Sequence, residues 1–230
     1  KNDYLNNPFI QSRSNNVQFR STIQPLNSFR IQLDAKRIVS ENFQETFRFD
    51  SSKDSYVSLT PSRGGNFSLS FLSIKTAFIK DDEFNNSPTF EKFVKNRSII
   101  RDRLNSLNNQ GEYGLNSQDV LIPSFISAYS DSDPSTYSLK PFSKIPIPNW
   151  RVDFTGLSKI KVLSEIFSNI TISHGYQSIY SIGEFSNSLL YIDNLDFNNS
   201  IMNYPLASQQ TENGLVPFYI INQVRITERF

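Results

Sequence analysis

Apolar and polar residues alternate with period 2 over several stretches of this chain. From Phe29 to Lys36 the odd positions hold Phe29, Ile31, Leu33 and Ala35, and the even positions hold Arg30, Gln32, Asp34 and Lys36. Successive side chains of a strand point to opposite faces, so this pattern predicts a strand with one apolar and one wet face. Val17, Phe19 and Ser21 alternate in the same way with Gln18, Arg20 and Thr22, and Pro25 then breaks the run in a turn. Phe43, Phe47 and Phe49 oppose Gln44, Thr46 and Arg48. Phe67, Leu69 and Phe71 share a face before the parity switches to Leu72 and Ile74, which predicts a bulge or a strand end.

The longest run sets Ile170, Ile172, His174, Tyr176, Tyr180 and Ile182 against Thr171, Ser173, Gly175, Gln177 and Ser181. Extended, it spans roughly 43 Å at ~3.3 Å per residue. A typical globular strand covers ~17–20 Å, and a tilted membrane strand needs only ~9–11 residues. Val224, Ile226 and Phe230 against Arg225, Thr227 and Arg229 make the last strand. The pattern predicts roughly eight to ten strands in all.

The middle of the chain follows a different period. Ser87-Pro88 reads as an N-cap followed by an N1 proline. Phe90, Phe93, Val94, Arg97, Ile100, Leu104 and Leu107 then recur at helical spacing, with an end expected in Asn108-Asn109-Gln110-Gly111. Packing is expected through Phe90, Phe93, Val94, Ile100 and Leu104, with Lys92, Lys95, Arg101 and Arg103 opposite. Asp119 to Tyr129, apolar around Pro123, reads as a second short, kinked helix. The prolines of Lys140-Pro141-Phe142-Ser143-Lys144-Ile145-Pro146-Ile147-Pro148 require an extended chain. The expected organisation is therefore strands over 1–80, an insertion with one or two helices and a Pro-rich lead over 81–148, and strands again over 149–230.

Composition narrows the function classes. Of 230 residues, 23 are Lys or Arg and 22 are Asp or Glu, so a nucleic-acid binder with a concentrated basic footprint is not expected. The absence of cysteine removes disulfides and thiolate chemistry, and one histidine leaves little for a zinc site or a Ser-His relay. No constellation of nucleophile, base and acid is present, so neither an enzyme nor a cofactor or metal site is expected. The 34 Ser and 24 Asn interleave with 20 Phe and 10 Tyr, a mixture suited to long strands with one wet face. No apolar run reaches the ~18 residues of a transmembrane helix. Lys1-Asn2-Asp3-Tyr4 shows no initiator Met, apolar segment or cleavage site, so either a signal was removed or the chain is a piece of a longer one. Phe230 stops in a strand pattern, read as an internal break or as the last residue of an outer-membrane barrel.

Alternation alone fits a membrane barrel or a soluble antiparallel sandwich. Strand length and the Arg, Asp, Ser and Gln on the polar faces favour the barrel. In that arrangement Arg30, Gln32, Asp34, Ser173, Gln177, Arg225 and Arg229 face the lumen, and Ile31, Leu33, Ile170, Ile172, Tyr180 and Ile226 face lipid. Other candidates weigh less. His174 falls on the apolar face with no acid partner. Asp81-Asp82-Glu83 lacks the spacing of a calcium loop and reads as a solvated turn. Ser62-Arg63-Gly64-Gly65-Asn66 lacks the Lys of a phosphate loop. Trp150 reads as a belt or packing residue at a strand start.

One stretch resembles a known family. Pro146, Pro148, Asn149, Trp150 and Arg151, followed by Gly156-Leu157-Ser158-Lys159, Asn169–Tyr176 and Tyr180-Ser181-Ile182-Gly183, are similar to the later part of the SprA/Sov family. These are giant outer-membrane proteins of the Bacteroidetes type 9 secretion system. Ser117–Phe125 and Arg37–Phe43 resemble the same proteins in the same order. The resemblance implies an all-β chain with a helical insertion, forming a segment of a very large antiparallel transmembrane β-barrel. It implies passage of folded cargo to the cell surface and support of gliding motility. The implied partners are the rest of the barrel, a smaller PorV-type barrel, a periplasmic plug protein, secreted cargo and outer-membrane lipid. The alternatives are a surface adhesin or glycan-binding sandwich and a small stand-alone outer-membrane barrel.

Overall fold

The computed structural model describes residues 7–191, 204–212 and 214–230. Strand β1 (Phe9–Leu26) turns into β2 (Phe29–Asp50), and β3 (Ser55–Ser70) follows. The chain then forms helices α1 (Pro88–Leu107) and α2 (Gln118–Tyr129) and returns as β4 (Asn149–Phe154). A 3-10 turn (Gly156–Lys159) and the short helix α3 (Lys161–Ser164) lead to β5 (Ile172–Asn187). A small hairpin, β6 (Gln210–Thr211) and β7 (Gly214–Leu215), precedes β8 (Tyr219–Ile221) and β9 (Val224–Arg229). The protein is mainly β, and β1–β5, β8 and β9 form one antiparallel sheet. No described helix is long and apolar enough to cross a membrane.

Two of the sheet's strand positions are shared. Along β2, Arg37 pairs with Leu69 of β3 and Asp34 pairs with Asn149 of β4. Along β5, Tyr180 pairs with the same Leu69 and Tyr176 pairs with Trp150. β3 and β4 therefore lie end to end as one interrupted strand, and residues 71–148 leave and rejoin the sheet at the same place. β8 and β9 share the other flank of β5 in the same manner. The result is an up-and-down meander, β1, β2, β3/β4, β5, β8/β9, in chain order. The 22 residues of β2 reach roughly 73 Å at ~3.3 Å each.

Several sequence boundaries change. Residues 29–36 and 43–49 belong to one strand, because the odd-even parity continues unbroken through Arg37, Val39 and Glu41. The parity switch after Phe71 is a strand end: the Phe71 N–H turns to the Ser178 carbonyl, 3.0 Å away. The non-strand segment thus begins at 71 rather than 81. Helix α1 occupies the expected residues, yet Phe90 and Val94 are exposed. Its buried stripe runs through Thr89, Asn96, Ile100 and Leu104. Continuing the 3.6-residue period back from Ile100 and Leu104 reaches Asn96 and not Val94, and the Asn96 amide is satisfied by the Ser127 hydroxyl at 2.9 Å.

The core forms where the insertion folds back on half of one sheet face. Val39, Phe67, Leu69, Tyr180 and Ile182 meet Ile122 and Ile126 of α2 and Phe142 of the Pro-rich lead. Phe67 and Phe142 stack edge to face at 5.5 Å. Each such side chain contributes ~1.5–3 kcal/mol on burial. A second cluster of Ile100, Leu104, Tyr113, Val120 and Ala207 joins α1 to α2. Arg37 also lies on this face, buried over the Phe67 ring at 5.5 Å, with its Nε donating to the Ser143 carbonyl. Gly65 permits the close approach of the strands, since a Cβ there would stand 1.9 Å from the Ser40 carbonyl oxygen.

Candidate functional site: a basic strip on the polar face

The register assigns every strand residue to a face. Gln32 pairs with Arg151, Arg30 with Asp153, Asp153 with Ser173, Gln177 with Arg229 and Ser181 with Arg225. Arg30, Gln32, Asp34, Ser173, Gln177, Arg225 and Arg229 therefore share one face, brought together from β2, β5 and β9. Arg20, Lys36 and Arg151 join them. Arg20 and Lys36 were visible in the alternation but could not be placed beside the others without the pairing order.

Positive charge dominates this strip. Arg20, Arg30, Lys36, Arg151, Arg225 and Arg229 stand against only Asp34 and Asp153. Arg20 pairs with Asp34 at 3.2 Å, and Arg151 pairs with Asp153 at 3.1 Å. The Gln18 amide also donates to Asp34, and the Ser173 hydroxyl donates to Asp153 at 2.6 Å. Among the described residues, Arg225 and Arg229 have no carboxylate partner. The strip is hollowed: a concavity of about 490 Å³ is lined by Arg20, Arg30, Gln32, Asp34, Arg151 and Gln177, among others. A smaller one of about 200 Å³ continues from the same Gln177 to Arg229. No described element covers this face.

The opposite face is apolar behind this strip and carries Arg13, Glu41 and Arg63 toward the far ends of β1–β3. Ile31, Leu33, Val152, Phe154 and Ile172 form its uncovered half, with Ile172 52% exposed. His174 lies among them, paired with Val152. Ile226 is on the same face, next to Tyr180. Three expected members differ, Ile226 because it packs, half-buried, against the core beneath the insertion. Tyr180 is fully buried beneath the insertion, its hydroxyl donating to the Pro141 carbonyl at 3.0 Å. Ile170 precedes β5, and its N–H is bound by the Ser158 hydroxyl in the connecting loop. Alternation reports the face of a residue but not what covers it.

The Pro-Asn-Trp-Arg stretch has a structural task. Pro146 and Pro148 lack an N–H, and the Ile147 N–H between them donates to the Ser70 carbonyl. Buried Asn149 bridges strands, accepting from the Ser178 N–H at 2.8 Å. Trp150 stacks on Tyr176 at 4.5 Å, Tyr176 on Phe230 at 5.6 Å, and Phe230 on Phe78 at 4.7 Å. This aromatic row crosses the sheet at the border between its covered and uncovered apolar halves. Arg151 points to the basic strip. Asp82 spends its carboxylate on its own turn, accepting from the Phe84 and Asn86 N–H groups, and Ser62–Asn66 lies within β3.

Within the insertion, Asp119 is buried and accepts the Tyr204 hydroxyl at 2.7 Å. Burial pushes its carboxyl up to about 6, although the bonds to Tyr204 and Gln118 pull the other way. Gln118 binds the edge of β8, donating to the Tyr219 carbonyl and accepting from the Ile221 N–H, both at 2.7 Å.

No family model matches the chain, and no curated protein matches it.

Proposed function

We propose that this chain is a wall segment of a very large outer-membrane β-barrel of the SprA/Sov type, conducting folded proteins to the cell surface in type 9 secretion and supporting gliding motility. The supporting observation is the meander itself: long antiparallel strands in chain order, with a half-uncovered apolar stretch on one face and a basic, polar strip on the other. Lipid tolerates no unpaired backbone group, so such a sheet belongs in a membrane only as part of a closed barrel. In this reading the half-face of Ile31, Leu33, Val152, Phe154 and Ile172 contacts lipid, and the Trp150 row sits at the interface as an aromatic girdle. The insertion lies against the outside of the wall beyond the bilayer. A PorV-type barrel, a plug protein and the rest of the same polypeptide are the partners this implies.

The alternatives have less support. A sandwich would cover the apolar face with a second sheet, whereas here α2 and the Pro-rich lead cover only half of it. A small complete barrel needs its first and last strands to pair, and among the described residues β1 bonds only to β2 and β9 only to β5. Residues 1–230 expressed alone and refolded in detergent are expected to give no closed, heat-modifiable channel. A monodisperse small pore with single-channel conductance would make this a stand-alone barrel and end the translocon reading.

A further inference from the structure

The whole chain is almost neutral, with 23 basic against 22 acidic residues, yet this strip of its polar sheet face carries six basic groups against two acidic ones. The two ion pairs there, Arg20–Asp34 and Arg151–Asp153, consume both carboxylates. Lys36, Arg225 and Arg229 remain, and Arg30 faces the already paired Asp153 across the strands. The two hollows meet at Gln177 and connect Arg30 to Arg229 in one track across β1, β2, β4, β5 and β9, with Lys36 and Arg225 beside it on the same face. Amides from Gln32 and Gln177 line it as well, and the guanidinium forks can each bind a carboxylate bidentately. The chemistry complementary to such a track is a series of carboxylates presented by an extended polypeptide.

We propose that the strip is a transient docking track for acidic polypeptide segments, contacting cargo through Arg30, Arg225 and Arg229 and steering its acidic surfaces along the wall. This rests on the reading of the polar face as the lumen. Exposed arginines in a wet channel give attraction that is fast and salt-dependent rather than tight. That behaviour suits a passage, because a cargo held firmly would block it.

The test uses the native full-length protein in detergent and a fluorescent oligoglutamate, with oligolysine and a neutral Gly/Ser peptide of equal length as controls. Anisotropy is expected to show binding of oligoglutamate alone, weakening as salt rises. The double variant Arg225→Gln/Arg229→Gln is expected to lose about tenfold in affinity, equivalent to ~1.4 kcal/mol. Arg225→Lys/Arg229→Lys retains most of it, and Lys140→Gln/Lys144→Gln in the insertion leaves it unchanged. Equal binding of the neutral peptide, no loss in the Gln pair, or preference for lipid A phosphates over oligoglutamate overturns the proposal. A Gln177→Cys variant treated with a membrane-impermeant maleimide separates the two levels. Labelling at Gln177 without peptide binding refutes the docking track alone, and shielding of Gln177 by lipid refutes the lumen as well.

Discussion

The Asn149 side-chain amide donates to the Ser70 hydroxyl across 3.4 Å, joining two residues that bracket the whole insertion. The same hydroxyl accepts the Lys36 N–H at 2.9 Å, and Asn149 Oδ1 accepts the Ser178 N–H. At the break between β3 and β4 the regular ladder is missing, and these two side chains supply its bonds. Asn149→Leu is expected to leave the buried Ser178 N–H unpaired and to cost about 1–3 kcal/mol. Urea unfolding checks this, with Ser70→Ala, which strands the Lys36 N–H and the Asn149 amide, expected to cost a similar amount.

Gly65 sits where any Cβ would run into backbone. The 1.9 Å approach to the Ser40 carbonyl oxygen cannot be relieved by rotating a side chain, so β2 and β3 must separate. Gly65→Ala is expected to destabilise the sheet by more than about 2 kcal/mol, in the range of severe core lesions. Gly114→Ala, with open space around it, is expected to stay within about 0.5 kcal/mol. Thermal midpoints of the two variants distinguish them.

The buried Asp119 makes stability depend on pH. Its carboxyl titrates near 6 in the folded chain and near ~3.9 when unfolded. Between these values the folded state holds a proton the unfolded state has lost, so stability falls as pH rises from about 4 to 6 and then levels. The full drop is about 3 kcal/mol, from ~1.4 kcal/mol per unit. Asp119→Asn keeps an acceptor for the Tyr204 hydroxyl and is expected to flatten the profile, measured as urea midpoint against pH.

Neighbouring residues of β5 report the two environments. Ile172 lies on the uncovered apolar face and Ser173 on the polar one. Arginine on a lipid-contacting face costs ~2–4 kcal/mol at the bilayer midplane. Ile172→Arg is therefore expected to reduce the assembled protein in outer-membrane fractions, while Ser173→Arg leaves its level unchanged. Quantitative immunoblots of those fractions check it, and equal losses would contradict the assignment of faces.

Local periodicity carried α1, α2 and the sorting of strand residues into two faces, because each depends on neighbours within a few positions. It did not carry the splice of β3 to β4, which depends on Ser70 meeting Asn149 across the insertion. Nor did it separate Tyr180 from Ile172: both are apolar-face residues in one strand, and only the fold of α2 and Phe142 decides that one is covered. Arg37 offered a signal. A guanidinium in an apolar row needs a ring and a carbonyl above it, so that half of the face had to be covered by protein. The basic strip was legible strand by strand, but its net charge emerged only when β1, β2, β4, β5 and β9 were set side by side.

The most direct test of the barrel-wall assignment is nitroxide accessibility in the native full-length protein in its membrane. The 230 residues contain no cysteine, so once cysteines elsewhere in the full-length protein are replaced, spin labels can be placed singly at Ile31, Gln32, Val152 and Ser173. Labels at Ile31 and Val152 are expected to be relaxed by lipid-dissolved oxygen and protected from a water-soluble nickel chelate, and labels at Gln32 and Ser173 to show the reverse. Equal access of the nickel chelate to all four positions would mean that the apolar face does not contact lipid, and the chain would not be a membrane barrel wall.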